Sequence, residues 1–179
     1  MSSLPGQLQS ASDAPARRVG RRFAVGLAAT LIAVALVRTQ LIDVVRVSSD
    51  SMAPTLCTGG TALVTKMRAG SAVHVDDIVT FAGPTDGAAT IKRVVAVQGQ
   101  TVAIEDARLL VDGQLVEEPY VDHATIDGVY FGPVQVPEAS VFLLGDHREV
   151  SVDSRAFGPV PLSRLDGRML TTLATACSP

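Results

Sequence analysis

The chain is poor in the residues that build metal sites. Among its 179 residues there are no tryptophans, two cysteines and three scattered histidines, and neither a CxxC nor an HExxH pattern occurs. We therefore expect no metal site and no cofactor. The net charge of −3 and the pI near 5.5 argue against nucleic acid as a partner. Cys57 and Cys177 can form one disulfide in an oxidising compartment, and the sequence leaves their pairing open.

Long apolar runs are also scarce. The only one is the uncharged stretch of fifteen residues from Phe23 to Val37. As a helix it would span roughly 22 Å at ~1.5 Å per residue, and arginines at both ends can snorkel to make this short span workable. Four arginines precede the run and predict a cytoplasmic N-terminus: Arg17, Arg18, Arg21 and Arg22. We predict a disordered cytoplasmic leader over 1–21, a single transmembrane anchor over 22–40, and an extracytoplasmic domain over 41–179.

A cleavable secretory signal is the alternative explanation of this run. The arginines would form its charged region, and Ala33-Val34-Ala35 would form an A-x-A-like cleavage site. Apolar residues continue beyond that site through Leu41 and Ile42, which favours a retained anchor. The sequence alone leaves both explanations open.

Beyond residue 40 the pattern is one of short β-runs bounded by turn residues. Leu109–Val116 is the clearest hairpin, because its Asp112-Gly113 pair suits the two positive-φ positions of a type I′ turn. The other predicted strands are Thr61–Thr65, Ile78–Ala82, Thr90–Val97, Thr101–Ile104, Val134–Val136, Val141–Leu144 and Phe157–Leu162. With no long amphipathic helix outside the anchor, the pattern predicts a mostly β domain, a sandwich or a partly open barrel.

Lysine is rare, with two residues against thirteen arginines, and one lysine lies in an unusual place. Lys92 lies within the mostly apolar strand Thr90–Val97, and Ser51 lies fourteen residues beyond the end of the apolar run. A serine hydroxyl needs a base to become a nucleophile. Lysine can be that base when burial lowers its pKa from about 10.4. The two residues suggest a Ser–Lys hydrolase beside a membrane.

Each residue also has an ordinary explanation. Lys92 can extend with Arg93 from a strand end into water, and Ser-Asp-Ser is a common turn composition. A third segment, Gly145–Arg155, concentrates charges and hydroxyls between apolar flanks. It can be a solvated turn with weak surface ion pairs. As an active-site wall it would instead supply a hydroxyl to orient the amine and ion pairs to hold the loop.

Taken in order, these segments resemble the type I signal peptidase family of bacteria, the membrane-bound leader peptidases. The matching stretches are SSDSMAPTL (48–56), TIKRVVAVQGQTV (90–102) and GDHREVSVDSRAFGPVP (145–161), and EEPYV (117–121) and VPEASVFLLGD (136–146) fit as well. Each motif alone is weak, but the ordered set is specific. The resemblance implies a β-rich catalytic domain whose apolar surface rests on the membrane, with a Ser–Lys dyad.

The resemblance also implies roles for individual residues. Ser51 would be the nucleophile and Lys92 the general base. Ser49 would donate its hydroxyl to the oxyanion together with the Ser51 backbone N–H, and Ser151 would hydrogen-bond and orient Lys92. Structural ion pairs in the site wall would join Arg93 to Asp146 and Asp153 to Arg155. The residues implied to line shallow substrate pockets are Val47, Leu56 and Ile91.

Two departures from the family pattern put catalytic efficiency in doubt. Asp50 stands where the family commonly has glycine and would bring a carboxylate near the oxyanion unless it points to solvent. His147 stands where asparagine is frequent. Its neighbour Asp146 also raises the alternative of a Ser–His–Asp triad, although adjacent His and Asp rarely meet the geometry.

The resemblance implies a signal peptidase I, a serine endopeptidase of the bacterial cell membrane. It would remove signal peptides from exported precursors after Ala-X-Ala sites, with those peptides and the lipid bilayer as partners. One alternative is a Ser–Lys autoprotease of the SOS-repressor type, for whose DNA-binding domain residues 1–22 are too few. The other is a catalytically impaired β-domain that binds exported peptides. The sequence does not set the oligomeric state.

Overall fold

The computed structural model describes residues 24–35, 41–68, 70–83, 87–123, 130–174 and 177. The chain divides into two compact units, Met1–Gln40 and Leu41–Pro179.

The described part of the first unit is a helix, α1, over residues 24–35, whose side chains are exposed. The predicted leader lies outside the described residues, as do both ends of the predicted anchor. Among the helices that the structure describes, none is both long and apolar enough to cross a bilayer.

The second unit is mostly β, as predicted. Its strands are β1 (Ile42–Arg46), β2 (Thr61–Lys66), β3 (Ile78–Ala82), β4 (Ala89–Val97), β5 (Thr101–Glu105), β6 (Arg108–Val111), β7 (Gln114–Leu115), β8 (Phe131–Gln135), β9 (Ser140–Leu144), β10 (Val160–Pro161) and β11 (Leu165–Ala174). They form a seven-stranded sheet of order β1-β2-β11-β3-β4-β9-β10 and a four-stranded sheet of order β7-β6-β5-β8. The described strand pairs are antiparallel. A one-turn helix, α2 (Ser154–Phe157), and a 3₁₀ turn, Leu162–Arg164, flank β10.

The strands that carry the site lie in the interior of the larger sheet. β4 pairs with β3 on one side and with β9 on the other. All three strands are buried over most of their length, which explains their nearly continuous apolar sequences. Phe81 and Leu143 pack in the same cluster, and each such buried side chain contributes about 1.5–3 kcal/mol. This core gives the site a rigid base.

The predicted hairpin is confirmed. Asp112 and Gly113 have φ angles of 53° and 75°, the left-handed values that a type I′ turn requires. They join β6 to β7, which pair antiparallel.

The sequence patterns missed two strands and misjudged one. β1 and β11 were not predicted, because apolar and polar residues do not alternate regularly along them, and the apolar Val44, Leu170 and Leu173 are exposed. β11 also contains two register shifts where it pairs with β2. The predicted strand Phe157–Leu162 is largely wrong: only Val160–Pro161 is extended, between α2 and the 3₁₀ turn.

The two cysteines form a disulfide. Cys57 and Cys177 are bonded across 120 positions of sequence, which settles the question that the sequence left open. The bond ties the C-terminal segment to the loop between β1 and β2.

Candidate active site

Ser51 lies in the loop that connects β1 to β2, and this loop is closed by its own backbone hydrogen bonds. At its base the Val47 N–H donates to the Gly60 carbonyl at 2.9 Å, and Gly59 N–H donates to the Val47 carbonyl at 2.9 Å. Next to the serine, the Leu56 N–H donates to the Met52 carbonyl at 2.8 Å. The apolar side chains of Met52 and Leu56 are fully buried. The loop therefore holds Ser51 as a fixed turn that is anchored in the core.

Lys92 is buried within β4 and reaches the serine. Its side chain is 3% exposed, and its Nζ lies 2.6 Å from the Ser51 Oγ. Burial lowers the pKa of Lys92, although the carboxylates of Asp153 and Asp146 oppose this effect. The alternative in which Lys92 and Arg93 extend into water is wrong, since Arg93 is only 8% exposed. An amine that is readily deprotonated can accept a proton from a hydroxyl at this distance.

Ser49 lies beside the serine on its exposed side. Its Oγ donates to the Ser51 Oγ at 3.3 Å. This places a second hydroxyl within reach of the reacting oxygen.

Ser151 does not make the predicted hydrogen bond to Lys92. Its Oγ is buried and has no hydrogen-bond partner in the structure. The hydroxyl lies against Gly145, where an added Cβ would clash with both the Ser151 Oγ and the Ser51 carbonyl oxygen. The sequence placed Ser151 in the right neighbourhood but not in the predicted bond.

Both expected ion pairs are present around the dyad. Arg93 donates to the two oxygens of Asp146 at 2.9 and 2.7 Å. Arg155 donates to the two oxygens of Asp153 at 2.8 and 2.9 Å. Bidentate charge-assisted pairs of this kind fix orientation as well as distance.

Each pair also holds a neighbouring segment. Asp146 accepts from the Thr55 Oγ1 at 2.5 Å, which connects the first pair to the Ser51 loop. Asp153 caps α2 by accepting from the Arg155 N–H at 3.2 Å. Its other oxygen accepts from the Gly145 N–H at 3.0 Å, at the end of β9. The pairs therefore join the loop, the helix and the strand that surround Lys92.

The three predicted pocket residues lie together in one apolar cluster. Val47, Leu56 and Ile91 pack with Met52, the residue after the serine. All three are buried in this structure.

The two unusual residues near Ser51 are accounted for. Asp50 is exposed, and its Oδ1 accepts from the Thr58 N–H at 3.0 Å, which lowers the pKa of this carboxyl. The His147 N–H donates to the Ser51 carbonyl at 3.2 Å, and its Nδ1 lies 3.3 Å from the Asp50 carbonyl. Since Arg93 and Thr55 bind the Asp146 carboxylate, the Ser–His–Asp alternative finds no support here.

Two features of the site wall were not predicted from the sequence. Arg148 forms a buried, bidentate ion pair with Glu118. The ring of Tyr120 lies 3.8 Å from the Arg93 guanidinium, and burial raises the pKa of its phenol. Both Glu118 and Tyr120 belong to the EEPYV segment, which was noted as a match but given no role.

Known proteins resemble this chain over most of its length. The model of the family "signal peptidase, peptidase S26" matches residues 20–174. Signal peptidase I V of Bacillus subtilis is 34% identical over 151 residues, which cover 77% of this chain and 89% of the relative. A signal peptidase I of Mycobacterium tuberculosis is 34% identical over 198 aligned positions, which cover 82% of this chain and 66% of the relative.

A solved structure agrees with these matches. The crystal structure of a signal peptidase I from Enterococcus faecalis has a TM-score of 0.50 and 30% identity, and covers 56% of this chain and 98% of that chain. The family model matches most of the sequence, and relatives that are 34% identical align over most of their own length, so family membership is established. The chain belongs to the signal peptidase family, peptidase S26.

Proposed function

We propose that this protein is a signal peptidase I, a serine endopeptidase that removes N-terminal signal peptides from exported precursors after Ala-X-Ala sites. Family membership and the names of its relatives support the reaction and the substrate class. In this proposal Ser51 is the nucleophile and Lys92 is the general base.

The observation that carries the proposal is the contact between a buried amine and a loop hydroxyl. Lys92 Nζ and Ser51 Oγ lie 2.6 Å apart, and the amine has a lowered pKa. The protonated amine donates to the serine oxygen, whereas the neutral amine accepts its proton. The neutral form is therefore the active one, and burial increases its population near neutral pH.

The reaction then proceeds as an acyl transfer. Ser51 Oγ attacks the scissile carbonyl while Lys92 takes its proton, and the oxyanion accepts hydrogen bonds from the Ser51 N–H and the Ser49 hydroxyl. Lys92 then gives the proton to the leaving amine, and water releases the signal peptide from the acyl-enzyme. The side chains of Val47, Leu56 and Ile91 would form the floor of small pockets that exclude large residues.

We further propose a single-pass anchor over residues 22–40 in the bacterial cell membrane, with the catalytic domain outside. The uncharged run and the arginines before it support this topology. The disulfide between Cys57 and Cys177 also supports an oxidising, extracytoplasmic location for the domain. Extraction of membranes at alkaline pH tests the anchor, because a spanning protein stays in the pellet.

The experiment is cleavage of a precursor with an Ala-X-Ala site by the full chain in detergent. We expect Ser51→Ala and Lys92→Ala each to lower kcat by about 10²–10⁴-fold. Lys66→Ala, which changes the only other lysine, is the matched control and should keep normal activity. Binding of the precursor without cleavage by the wild-type protein would instead support the impaired peptide-binding domain.

The pH profile tests the base directly. Because the pKa of Lys92 is lowered, kcat/KM should rise with pH and reach its plateau through a midpoint below the ordinary lysine value of 10.5. A midpoint at or above that value would contradict the role of Lys92.

A further inference from the structure

A third ion pair lies behind the site wall, and it is more deeply buried than the other two. Glu118 and Arg148 are 4% and 3% exposed. The Arg148 guanidinium donates to both carboxylate oxygens of Glu118, one bond being 2.9 Å long. Neither side chain is accessible to a bound peptide, so the pair cannot act by binding substrate.

A further donor of Arg148, its Nε–H, points at the end of β9. Its Nε donates to the Gly145 carbonyl at 3.1 Å. The Gly145 N–H donates to Asp153 at 3.0 Å, so charged side chains hold both of the peptide groups that flank this Cα. The Arg148 carbonyl accepts from Arg155 at 2.6 Å, which joins the third pair to the second.

Gly145 is the point at which this network meets the nucleophile. Its Cα lies against the Ser51 carbonyl and leaves no space for a Cβ. Two residues later the His147 N–H donates to the same carbonyl at 3.2 Å. The backbone of Ser51 therefore rests on the turn that Arg148 braces.

Glu118 is what keeps the arginine in this arrangement. An unpaired guanidinium at this depth is strongly unfavourable, so Arg148 would turn towards water if the carboxylate were absent. Its Nε would then leave the Gly145 carbonyl, and the support of Ser51 would loosen.

We propose that Glu118 is a positioning residue for the hydrolytic reaction, acting through Arg148 and Gly145 to hold Ser51 against Lys92. This inference rests on the proposed function. It adds to the site a residue that lies 30 positions before Arg148 in the sequence. A shift of about 1 Å between reacting groups lowers a rate by about 100-fold. A loss of this bracing should therefore appear in kcat.

The first test compares Glu118→Gln with Glu117→Gln in precursor cleavage. Glu117 is the exposed neighbour with the same side chain and serves as the matched control. We expect Glu118→Gln to lower kcat by about 10–100-fold while KM stays within about twofold, and the control to match wild type. Rates are divided by the folded fraction, measured by circular dichroism under the same conditions.

The second test separates positioning from stability. Arg148→Lys keeps a positive charge opposite Glu118. It lacks the planar guanidinium that donates hydrogen bonds to the Glu118 carboxylate and to the Gly145 carbonyl at the same time. We expect it to fold and still to lose kcat by a similar factor. Normal kcat per folded molecule in both variants, or a change confined to KM, overturns the proposal.

A failure of this proposal can be distinguished from a failure of the proposed function. Wild-type cleavage and its loss in Ser51→Ala, measured with the same precursor, test the reaction itself. The Glu118 and Arg148 variants test only the bracing.

Discussion

The disulfide provides the stability prediction with the most direct magnitude. Replacing Cys57 and Cys177 by serine removes a cross-link between positions 120 residues apart. In the chain-entropy model a loop of that size corresponds to about 5 kcal/mol of restriction in the unfolded chain, and measured values are commonly about 2–4 kcal/mol. Since domains are stable by about 5–15 kcal/mol, the double variant should lose a large share of its free energy of unfolding.

The assay is urea denaturation of wild type and the double variant, each with and without a thiol reductant. We expect the midpoint of the oxidised wild type to be clearly higher, and reduced wild type to approach the variant. While it is folded, the variant should remain active, because the loop around Ser51 keeps its backbone bonds at Val47 and Met52. Equal midpoints for the oxidised wild type and the variant would refute the assigned contribution of the bond.

Two further predictions concern the site. Lys92→Met should abolish cleavage yet raise the melting temperature by a few °C at neutral pH, because it removes an amine whose protonated form is penalised by burial. Between the lowered pKa of Lys92 in the folded protein and the ordinary value of 10.5, the unfolded chain binds more protons than the folded chain. The stability of the wild type therefore rises with pH in this window, and the difference in melting temperature between Lys92→Met and wild type should shrink. A difference that does not change with pH would count against a lowered pKa for Lys92. Gly145→Ala should lower kcat and also lower the free energy of unfolding by about 1–3 kcal/mol, because its Cβ would meet the Ser51 carbonyl oxygen and the Ser151 hydroxyl. Unchanged kinetics would show that this contact relaxes without moving Ser51.

The local patterns of the sequence predicted much of the β fold. The buried strands β3, β4 and β9 were recognisable because both of their faces are mostly apolar. The Asp112-Gly113 hairpin was recognisable because few residue pairs adopt its dihedral angles. β1 and β11 were not recognisable, because several of their apolar residues are exposed and apolar and polar positions do not alternate regularly along them. Their place in the sheet depends on pairing with β2, which is a long-range property.

The amino-acid sequence by itself determined the chemical groups of the site and their order along the chain. Residue types alone revealed three features: a serine beyond an apolar run, a lysine in a mostly apolar strand, and a charged turn after another strand. The tertiary structure alone decided which groups meet. The packing of distant segments brings Lys92 to Ser51 across 41 positions and Arg148 to Glu118 across 30, whereas it leaves the Ser151 hydroxyl without a partner. Short-range patterns report whether a side chain is buried, but the partner of a buried charge is set by how distant segments pack.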